Sequence, residues 1–294
     1  MSVEITIKQR GLFKKPLPLE IILGDNLKYG AYDGLRLAHD EMGNGEFVAY
    51  NPQHIARGFS VQWQEGEKQQ IYMRLPVPTC AEEVDDYFDT VERISSFWKK
   101  ADIEIDGNPT TMDEINRSRQ SMKEFNLSTL NMYGSGKYGE GVHYIFCAFW
   151  PIALGEREKK RFANAENLDD FRDYLHERQS IDAYYAKPSF YQKGNEVFGM
   201  YAFTEETRSI FPNKAYVPFG VNEPGSNSPL KADNFYVTLY SISKDTSLGA
   251  VRYDDFINSL DEDDFEYYDG ANKIIEPLGY EKMMDIVEKY KVEI

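Results

Sequence analysis

The sequence predicts an α+β fold, with mostly antiparallel sheets of short strands and helices packed on one face. Three observations lead there. Turn-bounded, strand-period segments crowd the chain as far as Leu75, and clear helical periodicity begins only after Thr79. Beyond that point strands are again grouped before helices rather than alternating strictly with them, which disfavours a doubly wound parallel sheet.

Taken in order, Val3, Ile5 and Ile7 alternate as in a half-buried strand. A second strand is expected at Leu19–Leu23 after the Pro16–Pro18 turn, and others at Glu46–Tyr50, Gly58–Gln64 and Gln70–Leu75. Thr79 with Glu82 reads as a capping box opening a helix whose apolar face carries Val84, Tyr87, Phe88, Val91, Ile94 and Trp98. Thr111 with Glu114 opens another, striped by Met112, Ile115, Met122 and Phe125 and ending or bending near Asn126. The second half repeats the style, with strands at Val142–Trp150 (buried on both faces), Ile181–Ala186, Glu196–Phe203, Ala215–Phe219 and Phe235–Ser241. Helices follow at Leu168–Arg178, capped by Asn167, and at Tyr280–Tyr290, where Tyr280, Met283, Met284 and Val287 form a stripe. The Gly134–Gly141 connection suggests two similar halves, 1–135 and 140–294, with one continuous domain as the alternative. Asp85-Asp86-Tyr87, Asp169-Asp170-Phe171 and Asp254-Asp255-Phe256 recur at or near helix starts, where acidic pairs suit the positive end of the helix dipole.

The 294 residues are 41% hydrophobic and 28% charged, a globular balance. A net charge of −16 repels phosphate backbones and argues against a nucleic-acid groove. Two cysteines, Cys80 and Cys147, are too few for a disulfide framework and sit in apolar surroundings, as core residues do. The opening residues lack the pattern of a secretory signal, and the run from Val142 to Leu154 falls short of the ~20 residues of a membrane-spanning helix. The expectation is a cytoplasmic protein without a membrane segment.

Candidates for chemistry are few. Gly134-Ser135-Gly136-Lys137-Tyr138-Gly139 matches the letters of a dinucleotide fingerprint, but the expected helix precedes it and the expected strand follows, the reverse of what phosphate binding needs. The four histidines, His39, His54, His143 and His176, are not at ligand spacing, and His143 reads as a core histidine. No G-x-S-x-G elbow occurs. No catalytic, cofactor-binding or metal-binding residue is therefore assigned. The segment from Asp261 misses calcium spacing, since Phe265 and Glu266 fall where a ligand and a glycine belong. Its residues Asp261, Glu262, Asp263, Asp264, Phe265, Tyr267, Tyr268 and Asp269 read instead as an acidic, aromatic-bearing surface for a protein partner with a basic face. Tyr184-Tyr185, Phe190-Tyr191 and Tyr201-Ala202-Phe203 are compatible with sheet packing or with a binding face. The alternative function is an enzyme or small-molecule binder with a cleft between the halves, covered by the Pro218–Asn234 loop with its Gly220, Pro224 and Gly225.

The opening Ser2-Val-Glu-Ile-Thr-Ile-Lys-Gln-Arg-Gly-Leu-Phe-Lys-Lys-Pro16, followed by Leu19-Glu-Ile-Ile-Leu-Gly-Asp-Asn-Leu-Lys-Tyr-Gly30, resembles a family of uncharacterised bacterial proteins known only as a domain of unknown function. The resemblance implies a bacterial origin and a match over essentially the whole chain. It carries no functional residues with it.

Overall fold

The structure, a computed structural model, describes residues 1–33, 35–137, 139–218, 221 and 230–294. The chain divides into two compact units, Met1–Ile152 with Glu156–Ser180, and Ala153–Gly155 with Ile181–Ile294. The Gly134–Gly141 connection falls inside the first unit. Each unit is α+β, as the sequence predicts.

The first unit contains β1 (Ser2–Gln9), α1 (Leu19–Leu23), β2 (Lys28–Asp33), β3 (Arg36–His39), β4 (Glu46–Tyr50), β5 (Phe59–Gln62) and β6 (Gln70–Pro76). There follow α2 (Ala81–Trp98), β7 (Ala101–Ile105), β8 (Asn108–Thr110), α3 (Met112–Gly134) and β9 (His143–Ile145). After β10 (Ile152–Leu154), where the chain passes from one unit to the other, come α4 (Glu156–Phe162) and α5 (Asp169–Gln179). Eight strands form one antiparallel sheet in the order β3-β2-β4-β5-β6-β1-β7-β8. Val3, Ile5 and Ile7 of β1 are buried in turn, and the apolar stripe of α2 packs with them into one core. The face expected for α2 is the face observed, since Val84, Tyr87, Phe88, Val91, Ile94 and Trp98 are all buried.

Several elements differ from the sequence reading, for identifiable reasons. Leu19–Leu23 is a helical turn, not a strand. Arg93 on α2 donates from Nε to the Ile21 carbonyl (3.2 Å) and from a terminal nitrogen to that of Ile22 (2.7 Å), satisfying the end of so short a helix. A five-residue apolar run does not reveal its period. The Thr79–Glu82 box is not formed: the Thr79 hydroxyl donates to Glu83, while Glu82 pairs with Arg172 at 2.6 Å. The Thr111–Glu114 box is present. Helix α3 does not stop at Asn126 but continues to Gly134. Asn126 is buried, accepts the Thr79 N–H (2.7 Å) and donates to the Met122 carbonyl (2.9 Å), so it ties α3 to the start of α2. Of the α3 stripe, Ile115 is buried, Met112 and Met122 are partly so, and Phe125 remains exposed.

Of the expected Val142–Trp150 strand only His143–Ile145 is regular. The next residues are joined instead to separate places in the unit: Ala148 N–H donates to Ala56 (3.0 Å), Phe149 N–H to the Gln179 side chain (2.8 Å), and the Phe149 carbonyl accepts from Leu37 (2.9 Å). His143 is half-buried rather than a core residue, its Nε2 lying 3.3 Å from the Gly139 carbonyl. Neither cysteine is in a disulfide among the described residues, and both are fully buried.

The second unit holds β11 (Tyr184–Tyr185), β12 (Ser189–Lys193), β13 (Glu196–Thr204), β14 (Ser209–Pro212), β15 (Asn234–Ser241) and β16 (Thr246–Arg252). It continues with α6 (Tyr253–Asn258), β17 (Phe265–Tyr267), β18 (Asn272–Ile275), α7 (Tyr280–Tyr290) and β19 (Lys291–Val292). Two sheets result, β12-β13-β15-β16-β19 and β11-β14-β18-β17, with parallel pairs at β13/β15 and β11/β14 and antiparallel pairs elsewhere. Residues 215–218, expected as strand, are irregular, and Phe219 lies outside the described residues. Tyr201, Phe203, Phe211, Tyr253 and Phe256 pack together in the core, so these aromatic side chains are spent on packing.

Asp269 fastens the turn before β18. It is fully buried, and its carboxylate accepts from the N–H groups of Ala153 (2.9 Å), Ala271 (2.9 Å) and Asn272 (2.8 Å) and from the Asn272 side chain (2.8 Å). Burial pushes its pKa up to about 7 against those four donors. The native state therefore keeps a proton that the unfolded chain releases at about pH 4, and stability falls as pH rises from there to about 7. Asp269→Asn turns an amide nitrogen toward N–H donors. Urea denaturation is expected to show this variant less stable by about 1–3 kcal/mol, with a flatter dependence on pH across that window than the wild-type protein.

Candidate functional site

The first unit contains a cavity of about 660 Å³. Its walls come from β2 (Ala31, Tyr32), β4 (Glu46, Phe47, Val48), the end of β6 (Arg74, Pro76), the end of α3 (Tyr133) and β9 with its successor (Tyr144, Ile145, Phe146). At the wall formed by the turn before β5 stands Arg57.

That turn is built by Glu83 on α2. The Glu83 carboxylate is buried and accepts from the backbone N–H of Gly58 (2.5 Å), the backbone N–H of Arg57 (3.3 Å) and the Thr79 hydroxyl. Gly58 has φ +68°, and a Cβ there would lie 2.4 Å from Val48 Cγ1, so only glycine lets the turn lie this close to β4. The neighbouring Ala56 carbonyl is held by Ala148 N–H (3.0 Å) and Gln179 Nε2 (2.6 Å). Arg57 is thereby fixed at its backbone. Its Nε donates to the Phe146 carbonyl (2.9 Å) and its Nη1 to the Pro78 carbonyl (3.2 Å). Among the described residues no carboxylate lies within ion-pair distance of its guanidinium.

The electrostatics follow from desolvation. Burial lowers the Arg57 pKa, with the negative charge of Glu83 among the influences that oppose it. Burial raises that of Glu83, opposed by the Thr79 hydroxyl, the Gly58 N–H and Arg57. Tyr32 lines the cavity while its hydroxyl donates to the Cys147 carbonyl, and burial of that end pushes its pKa upward. Phe146, 48% exposed, presents an open aromatic surface beside Arg57.

The residues singled out in the sequence are placed differently. The glycine run follows α3 and precedes β9, as expected, with Tyr138 outside the described residues. Gly134 is glycine because a Cβ would lie 2.4 Å from the backbone of Ala163, after α4. The carbonyls of Gly139 and Gly141 accept from Lys159 Nζ (3.1 and 2.6 Å), so the loop presents oxygens to a cation rather than N–H groups to a phosphate.

The histidines stay apart. His39 Nδ1 lies 2.9 Å from the Tyr50 hydroxyl and His176 Nδ1 accepts from Ile55 N–H (2.9 Å). His54 Nε2 lies 2.8 Å from Asp86, which also accepts from Asn26 and Asn51. Burial lowers the His54 pKa, but the Asp86 bond and the charges of Asp86, Glu82 and Glu83 outweigh it and the net shift is upward. No cluster of three or more His, Cys, Asp or Glu is arranged to hold a metal ion among the described residues.

The acidic segment is only partly a surface. Tyr268 and Asp269 are fully buried. Lys282 Nζ meets Asp261 (2.5 Å) and Asp264 (2.9 Å), Arg208 meets Glu266 (3.3 Å), and Lys273 Nζ sits 3.9 Å from the centre of the Phe265 ring. Asp261, Glu262, Asp263, Glu266 and Tyr267 remain exposed. Of the loop expected to cover a cleft, Phe219, Gly220 and Asn222–Pro229 lie outside the described residues, Pro224 and Gly225 among them. Arg57 was passed over in the sequence; the glycine after it and the carboxylate on the next helix were the available signals, and neither means anything until the chain has folded.

The class of protein is thus an α+β chain of two units whose first unit carries an open, tyrosine-lined, arginine-bearing cavity. The chain belongs to the family described as "Domain of unknown function (DUF4299)", whose sequence model matches residues 2–286. No curated protein and no solved structure matches it. No helix is long and apolar enough to cross a membrane among the described residues.

Removing the Glu83 carboxylate leaves the Arg57 and Gly58 N–H groups without their acceptor. Glu83→Ala is expected to lower stability by about 3 kcal/mol, seen as a lower urea midpoint. Thr79→Val is expected to cost less, because one hydroxyl rather than the acceptor is lost.

Proposed function

We propose that the chain is a binding protein for a small organic anion with an apolar or aromatic body, held in the Arg57 cavity. One observation carries the reading: a half-buried guanidinium lines the cavity and has no carboxylate within ion-pair distance among the described residues. A guanidinium has five N–H donors in a plane. Two of its nitrogens donate to carbonyls, and the donors left over suit a carboxylate or phosphate oxygen pair. The cavity volume of about 660 Å³ falls in the range of small-molecule sites. Phe47, Tyr133, Tyr144 and Phe146 supply aromatic surface for the ligand body.

Binding rather than turnover is favoured by the remaining chemistry. The described lining residues include no histidine, cysteine or lysine, and Glu46 is the one acid among them. The acidic segment after Tyr253 supports a partner-binding role less well, because five of its eight candidate residues are already engaged: Asp261 and Asp264 by Lys282, Phe265 by Lys273, and Tyr268 and Asp269 by the core.

Thermal-shift screening of the full chain with aromatic carboxylates and phosphate monoesters tests the proposal. A binder should raise the melting temperature of the wild-type protein, and Arg57→Gln should weaken it by roughly tenfold or more. Ala31→Trp, which adds bulk to the cavity wall from β2, should abolish the shift. Shifts that survive both substitutions would remove the cavity as the binding site.

A further inference from the structure

Between β1 and α1 the chain projects two apolar side chains into solvent: Leu12 is 97% exposed and Phe13 95%. Adjacent, nearly naked leucine and phenylalanine are unusual on a folded surface, where exposed apolar residues are ordinarily scattered and partly covered. The base of this loop is firmly built. The buried Gln9 side chain donates to the carbonyls of Lys15 (2.8 Å) and Lys68 (3.2 Å) and accepts from Lys15 N–H (2.7 Å). Trp98 Nε1 donates to the Lys15 carbonyl (3.1 Å), Arg10 N–H to the Lys100 carbonyl (2.8 Å), and Leu17 N–H to the Glu67 carbonyl (2.7 Å). The tip is thus held out by a fastened neck.

The same hydrogen bonds bring the backbone of further lysines to the base of that loop. Lys14, Lys15, Lys68, Lys99 and Lys100 are all exposed, and none of them forms an ion pair among the described residues. Arg10 beside them is already matched by Asp102. Of the acids in the neighbouring turn, Glu67 is committed to the N–H groups of Gln69 (2.6 Å) and Gln70 (3.2 Å), and Glu65 is exposed. Five exposed lysines on and beside a loop with an apolar tip stand out on a chain of net charge −16.

We propose that this loop docks the protein on an anionic lipid surface, with Leu12 and Phe13 entering the headgroup–acyl boundary and the lysines lying among the phosphates. Two features favour lipid over an acidic protein or RNA. The cations are lysines, hydrated point charges suited to a diffuse phosphate layer, rather than the planar guanidinium that reads a fixed partner. The apolar pair protrudes where a single aromatic would serve to stack on a base. The overall negative charge does not cancel the attraction, since ions screen it beyond roughly 8 Å while the lysines sit at the contact.

Co-sedimentation of the full chain with vesicles provides the test. Phosphatidylcholine vesicles containing roughly 30% phosphatidylglycerol should bind at least about fivefold more protein than phosphatidylcholine alone, and less at high salt. Joint Leu12→Ser and Phe13→Ser, and separately joint Lys14→Glu and Lys15→Glu, should each lower binding about fivefold or more with circular dichroism unchanged. Phe13→Trp should add blue-shifted emission on mixing with the anionic vesicles. Absence of binding to the anionic vesicles, binding indifferent to the Leu12 and Phe13 changes, or no blue shift would overturn the proposal. So would salt-sensitive binding to polyglutamate or single-stranded RNA without any to vesicles.

Discussion

A carboxylate shut away from water must find donors, and in the first unit the geometry around the cavity depends on how Glu83 finds them. Its oxygens are met by the Thr79 hydroxyl and by consecutive backbone N–H groups at Arg57 and Gly58. An acid on α2 thereby fixes a turn that enters β5. The turn can occupy that place only because residue 58 has no Cβ to strike Val48. Once the backbone is fixed, the Arg57 side chain has few directions left, and the Phe146 and Pro78 carbonyls take the one it adopts. Thr79 is in turn held through its N–H by Asn126 on α3, so three elements share one polar network.

The second unit solves a similar problem with a different outcome. Asp269 also buries a carboxylate among N–H donors, but all of its partners are local to the turn or to Ala153. Glu205 is comparable, accepting from the hydroxyls of Ser241 and Ser243 and from the Ser243 N–H. These acids organise the backbone around them. They also show why a count of acidic residues overstates the acidic surface: part of the negative charge is structural.

How far the sequence could be read follows from which physics is local. The stripe on α2, the box at Thr111, the alternation in β1 and the helix at Tyr280–Tyr290 are set by neighbours within a turn or a pleat, and they are found where expected. Leu19–Leu23 was misread because its helical end is completed by Arg93, distant in sequence. Asn126 was misread as a breaker because its partner, the Thr79 N–H, lies on another element. Cys147 to Phe149 looks like strand by composition, yet its main chain bonds outward to Ala56, Gln179 and Leu37 instead of to a neighbouring ladder. The cavity was illegible for the same reason. Arg57, Glu83 and Tyr32 are ordinary letters whose meaning is their convergence.

The protein also divides its cations by what each can tolerate. Arginine loses hydration more cheaply than lysine and keeps its charge when buried, so it is the side chain that can line a cavity. Arg57 does this, and Arg93 caps carbonyls in a partly buried place. Lysine holds its water and stays mobile, and the lysines on and beside the loop of Leu12 and Phe13 stay in solvent, without an ion pair among the described residues. A guanidinium in a tyrosine-lined cavity selects by shape and by paired hydrogen bonds. A loose set of ammonium groups responds to charge density over an area. The two cation sets are therefore suited to ligands of different kinds, one discrete and one extended, and each can be altered without disturbing the residues that build the other.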